Sequence, residues 1–127
     1  MKHILFTKNG QNQYYIQAVN SGQCCAVSSE ISLLEILVQP LRLGLNNVVN
    51  DYKNLLDNFP HLTWCSVTRE VALQAATLRA KYKLRTPDAL IIATGITQGA
   101  TLMITNDTQW KQISEIQIIC LRDLEDK

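Results

Sequence analysis

The 127-residue chain has almost no excess charge: 12 Lys and Arg stand against 11 Asp and Glu, a formal net charge of +1. A protein that grips nucleic acid by bulk positive charge is thereby excluded, although a local basic patch is not. No stretch comes near the ~18 uninterrupted apolar residues of a membrane-crossing helix. The apolar part of Met1 to Phe6 is too short for the core of a secretion signal, so a cytoplasmic protein with no membrane association is expected. Cysteine is sparse and unpatterned, with Cys24 and Cys25 adjacent and Cys65 and Cys120 alone. No Cys-x-x-Cys occurs and neither His3 nor His61 lies near a cysteine pair, which leaves a zinc site without support. Each cysteine lies in an apolar, strand-like run, the usual place of a buried free thiol. There is no glycine-rich phosphate loop, no Gly-x-Ser-x-Gly and no histidine-based triad, so nucleoside-triphosphate and serine-hydrolase chemistry have no footing. No carboxylate at all precedes Glu30.

What the chain does have is apolar content, 46% of it, enough to build a core without disulfide or metal. The length predicts one domain over residues 1–127, and no repeat, linker or low-complexity segment divides it. Tyr14, Tyr15, Ala18 and Val19 recur at helical spacing over 12–23, with Ser21-Gly22 as a stop. Cys24 to Val27 has strand length. Ser28 or Ser29 can cap the next helix, which carries Ile31, Leu34, Leu37 and Val38 on one face and which Pro40 is expected to interrupt. After the break at Arg42-Leu43-Gly44, a helix beginning at Asn46 or Asn47 carries Val48, Val49, Tyr52, Leu55 and Leu56 as its apolar stripe. Leu62 to Val67 alternates as a strand does. Thr68 caps a helix from Arg69 to about Tyr82 that turns Val71, Ala72, Ala75, Ala76 and Leu78 inward. Thr86-Pro87-Asp88 reads as a helix start: hydroxyl cap, proline at the first helical position, acid in the first turn. That helix, running to Gly99, is apolar nearly all round and so central. Thr101 to Thr105 is a strand, Asn106-Asp107 a turn, Thr108 to Ile113 a short helix and Ile116 to Leu121 a last strand, before a charged tail over 123–127. Short strands alternating with longer helices predict an α/β fold in three layers, α/β/α, with a central parallel sheet and helices on both faces.

Sites in such folds form beyond the carboxyl ends of the strands. Glu35, Asp88 and Asp107 all belong near such ends. Clustered carboxylates without a cysteine or histidine partner suit a hard divalent ion, Mg²⁺ or Mn²⁺, which holds a phosphate and polarises a water for hydrolysis. Each acid also has a plainer explanation. Ser32-Leu33-Leu34-Glu35 fits a capping box, Asp88 favours a helix N-terminus, and Asn106-Asp107 is an ordinary turn pair. Arg79, Lys81, Lys83 and Arg85 form a basic cluster before Asp88, either a grip for a nucleic-acid backbone or a solvated helix end. Trp64 and Trp110 can stack on bases, Trp64 being the better candidate for the core.

The run from Ser28 to Leu37, SSEISLLEIL, resembles the second conserved block of PIN-domain nucleases. The run from Leu84 to Thr94, LRTPDALIIAT, resembles their third block, with Arg79-Ala80-Lys81-Tyr82 fitting ahead of it, and Leu102 to Asp107, LMITND, resembles their fourth. The similarity covers about residues 14–124 and is closest to bacterial toxin nucleases of the VapBC toxin–antitoxin type. It implies a PIN-like fold and a Mg²⁺- or Mn²⁺-dependent endoribonuclease cleaving single-stranded RNA. In that family four acids surround the metal: Glu35 matches the second, Asp88 the third and Asp107 the fourth. Thr105 matches a hydroxyl that steadies the site, and Asn106 and Arg85 stand where substrate contacts are expected. An antitoxin partner and a homodimer are implied as well.

The front of the chain departs from the family. Its first acid belongs at the end of the first strand, in an Asp-Thr or Asp-Ser step, but here His3-Ile4-Leu5 is followed by Phe6-Thr7-Lys8. The first strand–helix unit is accordingly incomplete or altered, as a misplaced start, a decayed gene or a changed site would each leave it. Mg²⁺ can be held by one or two carboxylates with waters and phosphates, so three acids still suffice to bind it. Losing a ligand acid should cost at least the ~10–100-fold that losing an outer partner costs. Two readings therefore stand: an endoribonuclease with impaired activity, or a catalytically inactive PIN-like module that binds RNA or a protein.

Overall fold

The computed structural model describes residues 3–6, 19–22 and 24–120. Among the described residues five strands form one sheet: β1 (His3–Phe6), β2 (Cys25–Ser29), β3 (Leu62–Cys65), β4 (Leu102–Thr105) and β5 (Gln117–Cys120). Their order is β3-β2-β1-β4-β5, and every neighbouring pair is parallel. The short N-terminal run is thus the central strand, its Leu5 level with both Val27 and Met103 and its Phe6 level with Ile104. Among the described residues the helices present end to end between the strands are α1 (Glu30–Arg42), α2 (Asn46–Asp57), α3 (Arg69–Lys81) and α4 (Thr86–Thr97), and a 3₁₀ turn (Thr108–Gln112) precedes β5. Of the helix expected over 12–23 only its end is described, helical at 19–20 and closed by Gly22 at φ +83°. The charged tail lies outside the described residues.

The expected three layers are present. Strand side chains alternate faces. Val27 and Met103 join Val71, Ala75 and Leu78 of α3 and Ala89, Ile92 and Ala93 of α4 in one core. Their neighbours Ala26 and Ile104 point the other way and pack with Val19 and Cys24, against Phe59 and Leu62. As its apolar surround predicts, α4 is central: seven of its residues are buried. Among the described residues no helix is long and apolar enough to cross a membrane. All four cysteines are free, with Cys25 half-buried and the others buried, and burial pushes the Cys24 and Cys65 thiols up from their ordinary pKa.

Several local expectations need correcting. Pro40 does not interrupt α1, which continues to Arg42. It falls in the last turn, where a missing N–H forfeits one hydrogen bond, and its ring is buried. The helix ends instead at Gly44, φ +69°, whose N–H donates to the Leu41 carbonyl at 3.1 Å. Ala72 and Ala76 of α3 face solvent, because only Val71, Ala75 and Leu78 fall on its buried stripe. The apolar stripe of α2 is largely uncovered: Val49 is buried, while Val48, Tyr52 and Leu55 are exposed. Leu34, Val38 and Leu41 of α1 are exposed too. Periodicity identifies the apolar face of a helix but not what covers it.

The end of α3 is tied to the loop before β5. The Tyr82 hydroxyl donates to Glu115 Oε1 at 2.7 Å and accepts from the Ser114 N–H at 3.3 Å, and Lys81 Nζ reaches Glu115 Oε2 at 3.3 Å. The Tyr82 hydrogen bond, helped by Lys81, holds the Glu115 carboxyl below its ordinary range. A lowered carboxylate pKa adds stability above the unfolded value, which is lost as pH falls through the folded one. Tyr82→Phe should therefore cost about 1 kcal/mol at pH 7. The gap to wild type should close as pH drops through ~4 and below, as chemical denaturation across that range will show.

Candidate active site

The direction of the chain across the sheet creates one crevice. From β1 the chain steps to β2 and then β3 on one side, and returns to place β4 and β5 on the other. The order therefore reverses between β1 and β4, the place where ligands bind in open parallel sheets. A helix leading into a parallel strand runs against it, so α4 brings its N-terminus to the carboxyl ends of the strands. Its first turn carries Asp88, and Asp107 follows β4 directly.

Asp107 is held by local chemistry. Thr105, buried at the end of β4, accepts the Asp107 N–H on its hydroxyl at 3.0 Å. Asp107 Oδ1 accepts the Gln109 N–H at 2.9 Å and caps the 3₁₀ turn. The turn reading of Asp107 is thus correct for one oxygen and silent about the other. Asn106 beside it is half-buried.

Glu35 loses its plainer explanation. The cap of α1 is Ser29, whose hydroxyl accepts the Ile31 N–H at 3.1 Å, so Ser32 lies inside the helix and Glu35 closes no capping box. Glu35 is half-buried and lines an open groove of about 570 Å³ with Ile31, Val38, Thr86, Pro87 and Leu90, between α1 and the start of α4. Ser32, one turn before Glu35, is buried with no hydrogen-bond partner for its hydroxyl among the described residues. Nothing in the sequence distinguished it except the three-residue spacing to Glu35.

The start of α4 differs from expectation. Arg85, not Thr86, occupies the cap position, with no side-chain cap bond, and Thr86 is already helical. The Thr86 hydroxyl is engaged elsewhere, accepting from Arg79 Nη1 at 3.0 Å, while Arg79 Nε donates to the Leu84 carbonyl at 3.1 Å. Asp88 is buried, and Arg85 grips it with a fork: Nε to Oδ2 at 3.1 Å and Nη2 to Oδ1 at 3.3 Å. These hydrogen bonds, the Asp88 charge, and then the charges of Glu35 and Asp107 push the Arg85 guanidinium above its ordinary pKa.

Asp88 thus binds the Arg85 guanidinium directly, and the charges of Glu35 and Asp107 also act on it. As the side chains stand, no three His, Cys, Asp or Glu among the described residues are gathered closely enough to hold a metal ion. The donor types nonetheless fit a hard divalent ion, being oxygen throughout, and the position already attracts a cation. The rest of the basic cluster is less available than its sequence suggests. Arg79 is tied to the start of α4 and Lys81 to Glu115, leaving exposed Lys83. Trp110 is no stacking platform: it is 3% exposed, wedged into the core beside Ile113. Trp64 is half-buried, its Nε1 donating to the Leu56 carbonyl at 3.5 Å.

The family model described as PIN domain matches residues 8–116. A toxin–antitoxin complex from Klebsiella pneumoniae superposes with a TM-score of 0.66 at 21% identity, covering 91% of this chain and 95% of that one. VapBC2 from Rickettsia felis, bound to a DNA fragment from its promoter, gives 0.66 at 20% identity over 94% and 98%. DNA-bound VapBC from Salmonella typhimurium gives 0.62 at 18% over the same shares. No curated protein sequence matches significantly. At these identities the solved structures speak for the fold alone, but the family model spans most of the chain, which belongs to the PIN domain family.

Proposed function

We propose that this protein is a divalent-metal-dependent endoribonuclease of PIN type, a single domain acting in the cytoplasm as the toxin of a toxin–antitoxin pair, with activity weakened by the missing first acid. The observation that carries the reading is the Arg85 fork on buried Asp88 at the start of α4, with Asp107 directly after β4 and the charges of Glu35 and Asp107 also acting on the guanidinium. Glu35, Asp88 and Asp107 would hold Mg²⁺ or Mn²⁺. A bound divalent ion supplies the charge that draws in a phosphodiester and activates water for its hydrolysis. The chain's own residues do the remainder. Thr105 fixes the Asp107 backbone, so that the carboxylate oxygen not used for capping would face the ion or the attacking water. Asn106 and Arg85 contact the phosphate of single-stranded RNA. Support for an antitoxin partner comes from the toxin–antitoxin complexes that share the fold and from the exposed apolar residues of α1 and α2. The family likeness extends this to a homodimer.

The alternative, a catalytically inactive module that binds RNA or a protein, is favoured by one observation. Phe6 ends the central strand, level with Ile104, where the family carries its first acid. Thr7, the next residue, lies outside the described residues.

Mn²⁺ titrated into wild type and Asp88→Asn, with single-stranded RNA cleavage followed in the same samples, separates the two. Weak metal-dependent cleavage that falls on the order of 100-fold or more in Asp88→Asn is expected. Equal cleavage by both proteins would refute the assignment. Restoring an acid at the front, as Thr7→Asp or Phe6→Asp, should raise cleavage by about 10–100-fold, measured as initial rate at saturating Mn²⁺.

A further inference from the structure

We propose that Arg85 is a resident counter-cation of the active site, which a divalent ion must displace from Asp88 and which, once displaced, is free to grip phosphate. The inference rests on the metal-dependent reading above and concerns how that site is filled. Its basis is the geometry of the fork. Arg85 donates from Nε to one Asp88 oxygen and from Nη2 to the other, so the edge of the carboxylate that faces it is fully engaged. A divalent ion needs at least one of those oxygens, and it repels a guanidinium held beside it. Occupancy of Asp88 is therefore an exchange of one cation for another.

The partners differ in a way that suits exchange. The Asp88 side chain is 11% exposed and fixed in the first turn of α4, whereas that of Arg85 is 71% exposed. An ion pair that is this open on one side holds weakly, so its release is inexpensive. The nearby Arg79 and Lys81 cannot take its place, because both are tied elsewhere. A released Arg85 stays at the lip of the crevice with its fork empty, and a phosphate presents the same pair of acceptor oxygens that the carboxylate did. The charges of Glu35 and Asp107, besides that of Asp88, also act on Arg85.

The test is Mn²⁺ binding at neutral pH, by calorimetry and by electron paramagnetic resonance of the free ion, in wild type, Arg85→Gln, Arg85→Lys and Asp88→Asn. Melting temperatures with chelator and with Mn²⁺ accompany it. Removing a positive charge within ~4–6 Å should tighten Mn²⁺ binding on the order of tenfold in Arg85→Gln. Arg85→Lys, which keeps the charge but loses the fork, should fall between the two. Arg85→Gln should melt lower than wild type in chelator and gain more on adding Mn²⁺. A merely structural Arg85 would give the opposite sign, weaker binding in Arg85→Gln. If Arg85→Gln binds no more tightly than wild type while Asp88→Asn abolishes binding, the exchange is wrong and the metal site stands. If neither wild type nor Arg85→Gln binds Mn²⁺, both are wrong.

Discussion

The paired hydrogen bonds from Arg85 to Asp88, at the N-terminus of the buried α4, are the interaction on which the rest of the site depends. Parallel strands deliver chain ends to one edge of the sheet, and at that edge the chain places acids from three separate segments. The Arg85 guanidinium is forked onto Asp88 and attracted by the other two. The surrounding details serve the same end. Ser29, not Ser32, caps α1, Thr105 fixes the turn that carries Asp107, and the buried α4 carries Asp88 in its first turn.

Much of this was legible. The alternation of short strands with longer helices predicted the parallel three-layer fold, because antiparallel hairpins need only tight turns whereas parallel neighbours need crossovers. Thr68 was readable as a cap, and its hydroxyl does accept the Val71 N–H at 3.2 Å. Glu35, Asp88 and Asp107 stood out through their places near strand ends. Less legible were matters decided by competition between partners. Thr86 reads as a cap, but its hydroxyl accepts from Arg79 instead, and the three-residue spacing of Arg85 to Asp88 permits the pair that forms without singling it out. Trp110 had no periodic run to assign it to the core, and Pro40 broke a rule only where breaking it costs one bond.

The front of the chain carries the main tension in the functional reading. Its strand sits at the centre of the sheet with neighbours on both sides, at the place where the resemblance leads one to expect the first acid. What is missing is the acid itself. With one carboxylate fewer, the single positive charge of Arg85 weighs more heavily against an incoming ion. On the proposed reading, weakened cleavage and a resident guanidinium follow from one charge balance.

The central claim is that these three acids share one cation-binding position. Nuclear magnetic resonance of the labelled protein with substoichiometric Mn²⁺ tests it most directly, since the paramagnetic ion broadens the amides nearest to it. The account requires broadening centred on residues 35, 88 and 107 and absent in Asp88→Asn. Broadening centred elsewhere, or unchanged by Asp88→Asn, would contradict it.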